Sequence, residues 1–105
     1  MKLRLLSERE IADYIAELRA MAELPAADNP VALSRAKELR FQLQGQKSIA
    51  TRGHEYADAV YKDLEMLLHP NRWEVEPSLD FLRKRIKSSC ARLAHYASLP
   101  SRPSA

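Results

Sequence analysis

The chain has 105 residues, 46% hydrophobic and 30% charged, with two glycines, one cysteine and a net charge of +3. A compact domain of this size buries only roughly 60–65% of its unfolded surface, one cysteine excludes an internal disulfide, and no apolar run approaches the ~18 residues of a membrane span. Leu, Ala, Glu, Lys and Arg dominate and strand-like alternation is almost absent, which points to an all-α protein.

The opening MKLRLL is basic and apolar, but Ser7, Glu8 and Glu10 interrupt it before a signal-peptide core can form, so the chain is expected to be soluble, unprocessed and cytoplasmic. Ser7 and Glu10 form a capping box, and Leu6 with Ile11 fits a hydrophobic staple. A first helix is therefore predicted over about 8–24, with Ile11, Tyr14, Ile15, Leu18, Met21 and Ala22 on its apolar face and Pro25 as its stop.

The linker PAADNP offers Asp28 or Asn29 as a cap and Pro30 at a first helical position. From Ala36, alternate steps of three and four residues reach Leu39, Leu43, Gln46, Ala50, Gly53, Ala57, Val60, Leu64 and Leu67 without losing phase. This unbroken heptad predicts one long central helix over 30–68, about 58 Å in length. Gly45 and Gly53 oppose it at ~1 kcal/mol each, so the alternative is a four-helix bundle in which the helix breaks at 45–53.

His69 and Pro70 end that helix, and PNRWEVEP reads as an extended connector in which Trp73 and Val75 cover the end of the core. A last helix is predicted over 77–98, its apolar face made of Leu79, Leu82, Ile86, Cys90, Leu93 and Ala97. Residues 1–98 form the expected single domain, and 99–105 a flexible tail. The two shorter helices are expected to pack antiparallel on the two halves of the long one. That leaves Gln46, Ala50, Gly53 and Ala57 at a thin waist, which with Trp73 are candidate helix-packing or partner contacts.

No chemistry-bearing constellation emerges. GQKSIATRG lacks the first glycine and the preceding strand of a phosphate-binding loop. His54 and Asp58 share a helical spacing without the further ligands that a metal needs. Cys90 lies on an apolar face five residues from His95, the position of a small core residue. No catalytic residue, metal ligand or cofactor is expected, and the chain reads as a non-enzyme.

Charge is more informative. The blocks 1–29, 30–54, 55–82 and 83–105 carry −2, +4, −5 and +6. Arg83, Lys84, Arg85, Lys87 and Arg92 make the last predicted helix a candidate surface for a partner or a nucleic acid, with Arg35, Lys37, Arg40, Lys47 and Arg52 as a second basic group. On a helix these cations flank both sides of the apolar stripe, where they also suit pairing with Asp58, Asp63 and Glu65. The expected function is a non-catalytic helical interaction module that binds and modulates a larger protein, as an adaptor or inhibitor of the kind encoded by viruses and mobile elements. A host nucleic-acid-processing enzyme is a plausible target, a homodimer is compatible with the small-residue waist, and direct nucleic-acid binding is the alternative.

Overall fold

The computed structural model describes residues 2–69 and 78–97. Four helices form: α1 Glu8–Met21, α2 Pro30–Gln44, α3 Thr51–Leu68 and α4 Leu79–Tyr96. The described residues contain no strand. Trp73, Val75, the rest of the connector 70–77 and the tail 99–105 lie outside the described residues.

The local signals at the helix starts act as chemistry dictates. The Ser7 hydroxyl accepts the Glu10 N–H at 3.1 Å, while the Glu10 carboxylate accepts the Ser7 N–H at 3.0 Å. Asn29 caps α2 through the Ala32 N–H at 3.1 Å, with Pro30 at the first helical position. Ser78 caps α4 through the Phe81 N–H at 3.2 Å.

The continuous helix expected over 30–68 does not form, and with it falls the arrangement of two short helices on a long one. The chain breaks at residues 45–50, and the four-helix alternative is the architecture observed. Gly45 caps the C-terminus of α2, and Ile49, outside the heptad seam, turns inward to 2% exposure and plugs the core. The phase runs through the break because α2 and α3 line the same core: Ala36, Leu39 and Leu43 on one side and Ala57, Val60, Leu64 and Leu67 on the other are all buried. A shared core preserves a periodicity that a continuous helix would also produce.

Contacts between helix ends fix the topology. The Asn29 N–H donates to the Leu68 carbonyl at 2.9 Å, closing the α2–α3 hairpin, and the Ala50 N–H donates to the Tyr96 carbonyl at 3.2 Å, joining the start of α3 to the end of α4. Arg83, near the start of α4, donates to the Ala22 and Leu24 carbonyls just beyond α1, each at 2.8 Å. Each helix therefore runs against its neighbour, and α1 packs on both α2 and α4 to close an up-down-up-down bundle. Leu18, Leu39, Leu43, Leu64, Leu68, Ile86 and Leu93 are fully buried at its centre.

Gly53 sets the approach of α3 to α4. A Cβ there would lie 2.6 Å from Ile49 Cγ2 and 2.9 Å from Tyr96 Cβ, an atom fixed to the backbone. Gly53→Ala gains ~1 kcal/mol in helix propensity, but overpacking costs about 1–3 kcal/mol. A net destabilisation of up to about 2 kcal/mol is expected in urea denaturation; a stabilised variant would show that the interface has room for a methyl.

Glu17 on α1 accepts two hydrogen bonds from Arg35 on α2, at 2.6 and 3.0 Å. The Arg35 hydrogen bonds hold the Glu17 carboxyl below its ordinary value of 4.5, against the opposing effect of partial burial. Folding lowers this pKa, so the contribution is complete above pH 4.5 and is lost as pH falls through the folded value. The difference in melting temperature between wild type and Glu17→Gln should be constant at neutral pH and shrink on acidification below that point.

Candidate functional site

The basic residues predicted to face a partner are largely committed within the fold. Arg83 holds the end of α1. Arg85 makes a two-pronged contact with Asp63, at 2.9 and 2.7 Å, and lies 5.1 Å over the Phe81 ring. The Asp63 hydrogen bonds push the Arg85 pKa up, outweighing partial burial. Lys87 pairs with Glu23 on α1, and Arg92 lies 5.9 Å over the Tyr56 ring. Lys84 bonds Asp80 at 3.1 Å with both side chains largely in water, a pair of little energetic consequence. The five side chains thus occupy several flanks of α4 and do not build one ridge. In the second basic group, Arg35 and Arg40 are paired with Glu17 and Asp58, while Lys37, Lys47 and Arg52 are exposed without an ion pair among the described residues.

The predicted waist is divided between two environments. Gly53 and Ala57 are buried in the bundle, Ala50 is the exposed cap residue of α3, and Gln46 is buried at 2% exposure in the connection between α2 and α3. His54 and Asp58 do not converge: the His54 ring contacts the Gln46 carbonyl at 3.2 Å, whereas Asp58 bonds Arg40 at 3.1 Å and Lys62 at 3.0 Å. No group of three or more His, Cys, Asp or Glu able to hold a metal occurs among the described residues. Cys90 is buried, and desolvation pushes its thiol up to about 12, so it is protonated and a poor nucleophile at neutral pH.

The buried Gln46 leads to a site that helical periodicity alone does not reveal. Together with Gln42, at 3% exposure, it grips the segment before α1. The Gln42 side chain accepts the Arg4 N–H at 2.9 Å and donates to the Lys2 carbonyl at 2.6 Å. Gln46 accepts the Leu6 N–H at 3.0 Å and donates to the Arg4 carbonyl at 2.7 Å and to the Gln42 carbonyl at 2.9 Å. Two buried amides thus satisfy each other's surroundings and the backbone of alternate residues 2, 4 and 6.

The match is geometric. Two residues of extended chain advance about 6.7 Å, close to the ~6 Å rise of four helical residues, so Gln42 in the last turn of α2 and Gln46 just past its Gly45 cap meet every second peptide of the arm. Gly45 completes the seat, since a Cβ there would lie 2.1 Å from Leu3 Cδ1. Leu6 is buried as the anchor, and Arg4 contacts Tyr14 and Glu10. Leu5, in contrast, is 94% exposed and Leu3 50% exposed. Their backbone N–H and C=O groups are not bonded by the glutamines and have no hydrogen-bond partner among the described residues. A cleft of about 530 Å³ runs along the arm, lined in part by Leu3, Leu5, Lys47 and Ser48.

The sequence did carry a trace of this site. Gln46 stands in an otherwise apolar heptad with Gln42 one turn before it, and a polar residue in such a seam must find buried partners. What the sequence could not supply was the partner, forty residues away. No family model, curated protein or solved structure matches the chain.

The clamp predicts an alternating exchange pattern. Arg4 and Leu6 amides should exchange slowly and Leu3 and Leu5 amides fast. Gln46→Ala should speed exchange at Leu6 by about tenfold, the equivalent of one lost hydrogen bond, as read by NMR; unchanged protection there would show that the clamp does not hold the arm.

Proposed function

We propose that the protein is a non-catalytic helical interaction module that binds a larger protein and modulates it, with the N-terminal arm as its contact surface. The supporting observation is Leu5. Four backbone hydrogen bonds from two buried glutamines fix the arm, yet this arm presents Leu5 almost wholly to water and Leu3 half so. Ordering a segment loses conformational entropy, and exposing a large apolar side chain on it recovers little burial. Both make sense when a second protein covers the arm, because a prepaid ordering cost strengthens association.

The distribution of charge favours a protein over a nucleic acid. Arg83, Arg85 and Lys87 are tied to Ala22, Leu24, Asp63 and Glu23, so α4 has few free cations for phosphates. Direct nucleic-acid binding by α4 therefore has less support than its composition suggests. No helix among the described residues is long and apolar enough to cross a membrane. An adaptor or inhibitor of a nucleic-acid-processing enzyme, of viral or mobile-element type, remains the proposed setting, in keeping with size and mixed surface charge.

Leu5→Glu tests the reading. The side chain is outside the core, so helical content and melting temperature should match wild type, while stoichiometric capture of a protein from cells of the source should fall by at least about tenfold, the effect of losing one central apolar contact. Retained capture by the folded variant would remove the arm from the interaction. Salt-sensitive binding of the wild type to random duplex DNA, absent from an Arg85→Glu/Arg92→Glu variant, would instead favour the nucleic-acid reading.

A further inference from the structure

We infer that the arm is a preformed strand edge that captures an extended, acidic segment of its partner by β-addition. This rests on the interaction reading above and specifies its mode and the chemistry of the occupant. On one edge of residues 2–6 the Lys2 C=O, the Arg4 N–H and C=O and the Leu6 N–H are bonded by Gln42 and Gln46, which stand where a neighbouring strand would be. The opposite edge offers the N–H and C=O groups of Leu3 and Leu5, all without partners among the described residues. A row of unpaired peptide groups on an ordered, extended segment is the template that strand addition uses: main-chain bonds supply affinity and alternate side chains supply specificity.

Charge selects the occupant. Lys2 on the arm and Lys47 beside it in the cleft are exposed and have no ion pair among the described residues, and Arg4 is itself half-exposed despite its contact with Glu10. Glu8 is the acidic side chain lining the same cleft, and it lies beyond the arm at the start of α1. Leu3 and Leu5 give apolar surface between the cations. The complementary segment alternates acidic with β-branched or other apolar residues, a pattern compatible with an extended backbone. A second copy of this arm fits poorly, because the two-fold register that uses both leucines sets the two Arg4 side chains against each other, and like charges directly opposite are destabilising.

The probes are the capped peptides Glu-Val-Glu-Ile-Glu-Val and Lys-Val-Lys-Ile-Lys-Val, titrated into the full chain and followed by amide NMR. The acidic peptide should slow exchange of the Leu3 and Leu5 amides by about tenfold or more, leave Arg4 and Leu6 as protected as before, and weaken with added salt. The lysine peptide should not bind. Leu5→Pro deletes one N–H of the free edge while keeping an extended backbone and the glutamine clamp; it should bind the acidic peptide at least about tenfold more weakly, with Leu6 protection confirming that the arm is still seated. Equal binding of both peptides, no acidic-peptide binding, or binding that leaves Leu3 and Leu5 unprotected overturns the inference. The two readings separate in the capture experiment: if Leu5→Pro retains the cellular partner and Leu5→Glu loses it, the arm is an interaction surface that does not work by strand addition. If Leu5→Glu retains it, the interaction reading itself fails.

Discussion

The break at residues 45–50 is the constraint on which the rest of the molecule depends. It converts what would be a rod into an α2–α3 hairpin, and it brings Ile49 into the core while the Ala50 N–H reaches the Tyr96 carbonyl. A straight helix through this region would have left its middle uncovered on both sides. The hairpin instead lets four short amphipathic helices bury their apolar stripes against one another, the arrangement that a chain of this length needs to reach adequate burial.

The same break creates the site. Because α2 stops at Gln44, its last turn and the following residues form a ledge at one end of the bundle, where Gln42, Gly45 and Gln46 meet the segment before α1. Buried amides need partners, and the peptide groups of the arm supply them at the right spacing. The arm in turn seats Leu6 in the core and aligns Ser7 to cap α1. Fold stability and surface presentation are thereby coupled: the interactions that anchor the N-terminus also decide which of its side chains meet water.

Electrostatics are mostly spent inside the bundle. Asp63, at 6% exposure, has a bidentate partner in Arg85, and the carbonyls beyond α1 are satisfied by Arg83. Removing one member of such a set leaves a buried polar group unsatisfied, so these cations serve the fold before any ligand. The charge blocks of the sequence are in this respect a folding code for the α3–α4 and α1–α4 interfaces. Of the cations left over, Lys2 lies on the arm and Lys47 beside it in the cleft, whereas Lys37 lines a separate cleft with Asp28 and His69.

Helix class and most helix starts were legible in the residues, because caps, prolines and apolar periodicity act locally: Ser7 with Glu10, Asn29 with Pro30, and the stripes of α1 and α4 required no tertiary information. The course of the chain between Leu43 and Gly53 was not, since a heptad phase is equally the product of one helix or of two helices lining one core, and only the packing of Ile49, Gly53 and Tyr96 separates the two. The site was less legible still. Gln46 in an apolar seam signals a buried hydrogen bond, but its partners, the peptide groups of residues 4 and 6, carry no side-chain signature at all. Sequence by itself determined where α1, α2 and α4 begin and which faces are apolar; tertiary structure decided where the long helix breaks, and so where α3 begins, and what the glutamines hold, because these depend on contacts between residues far apart in the chain.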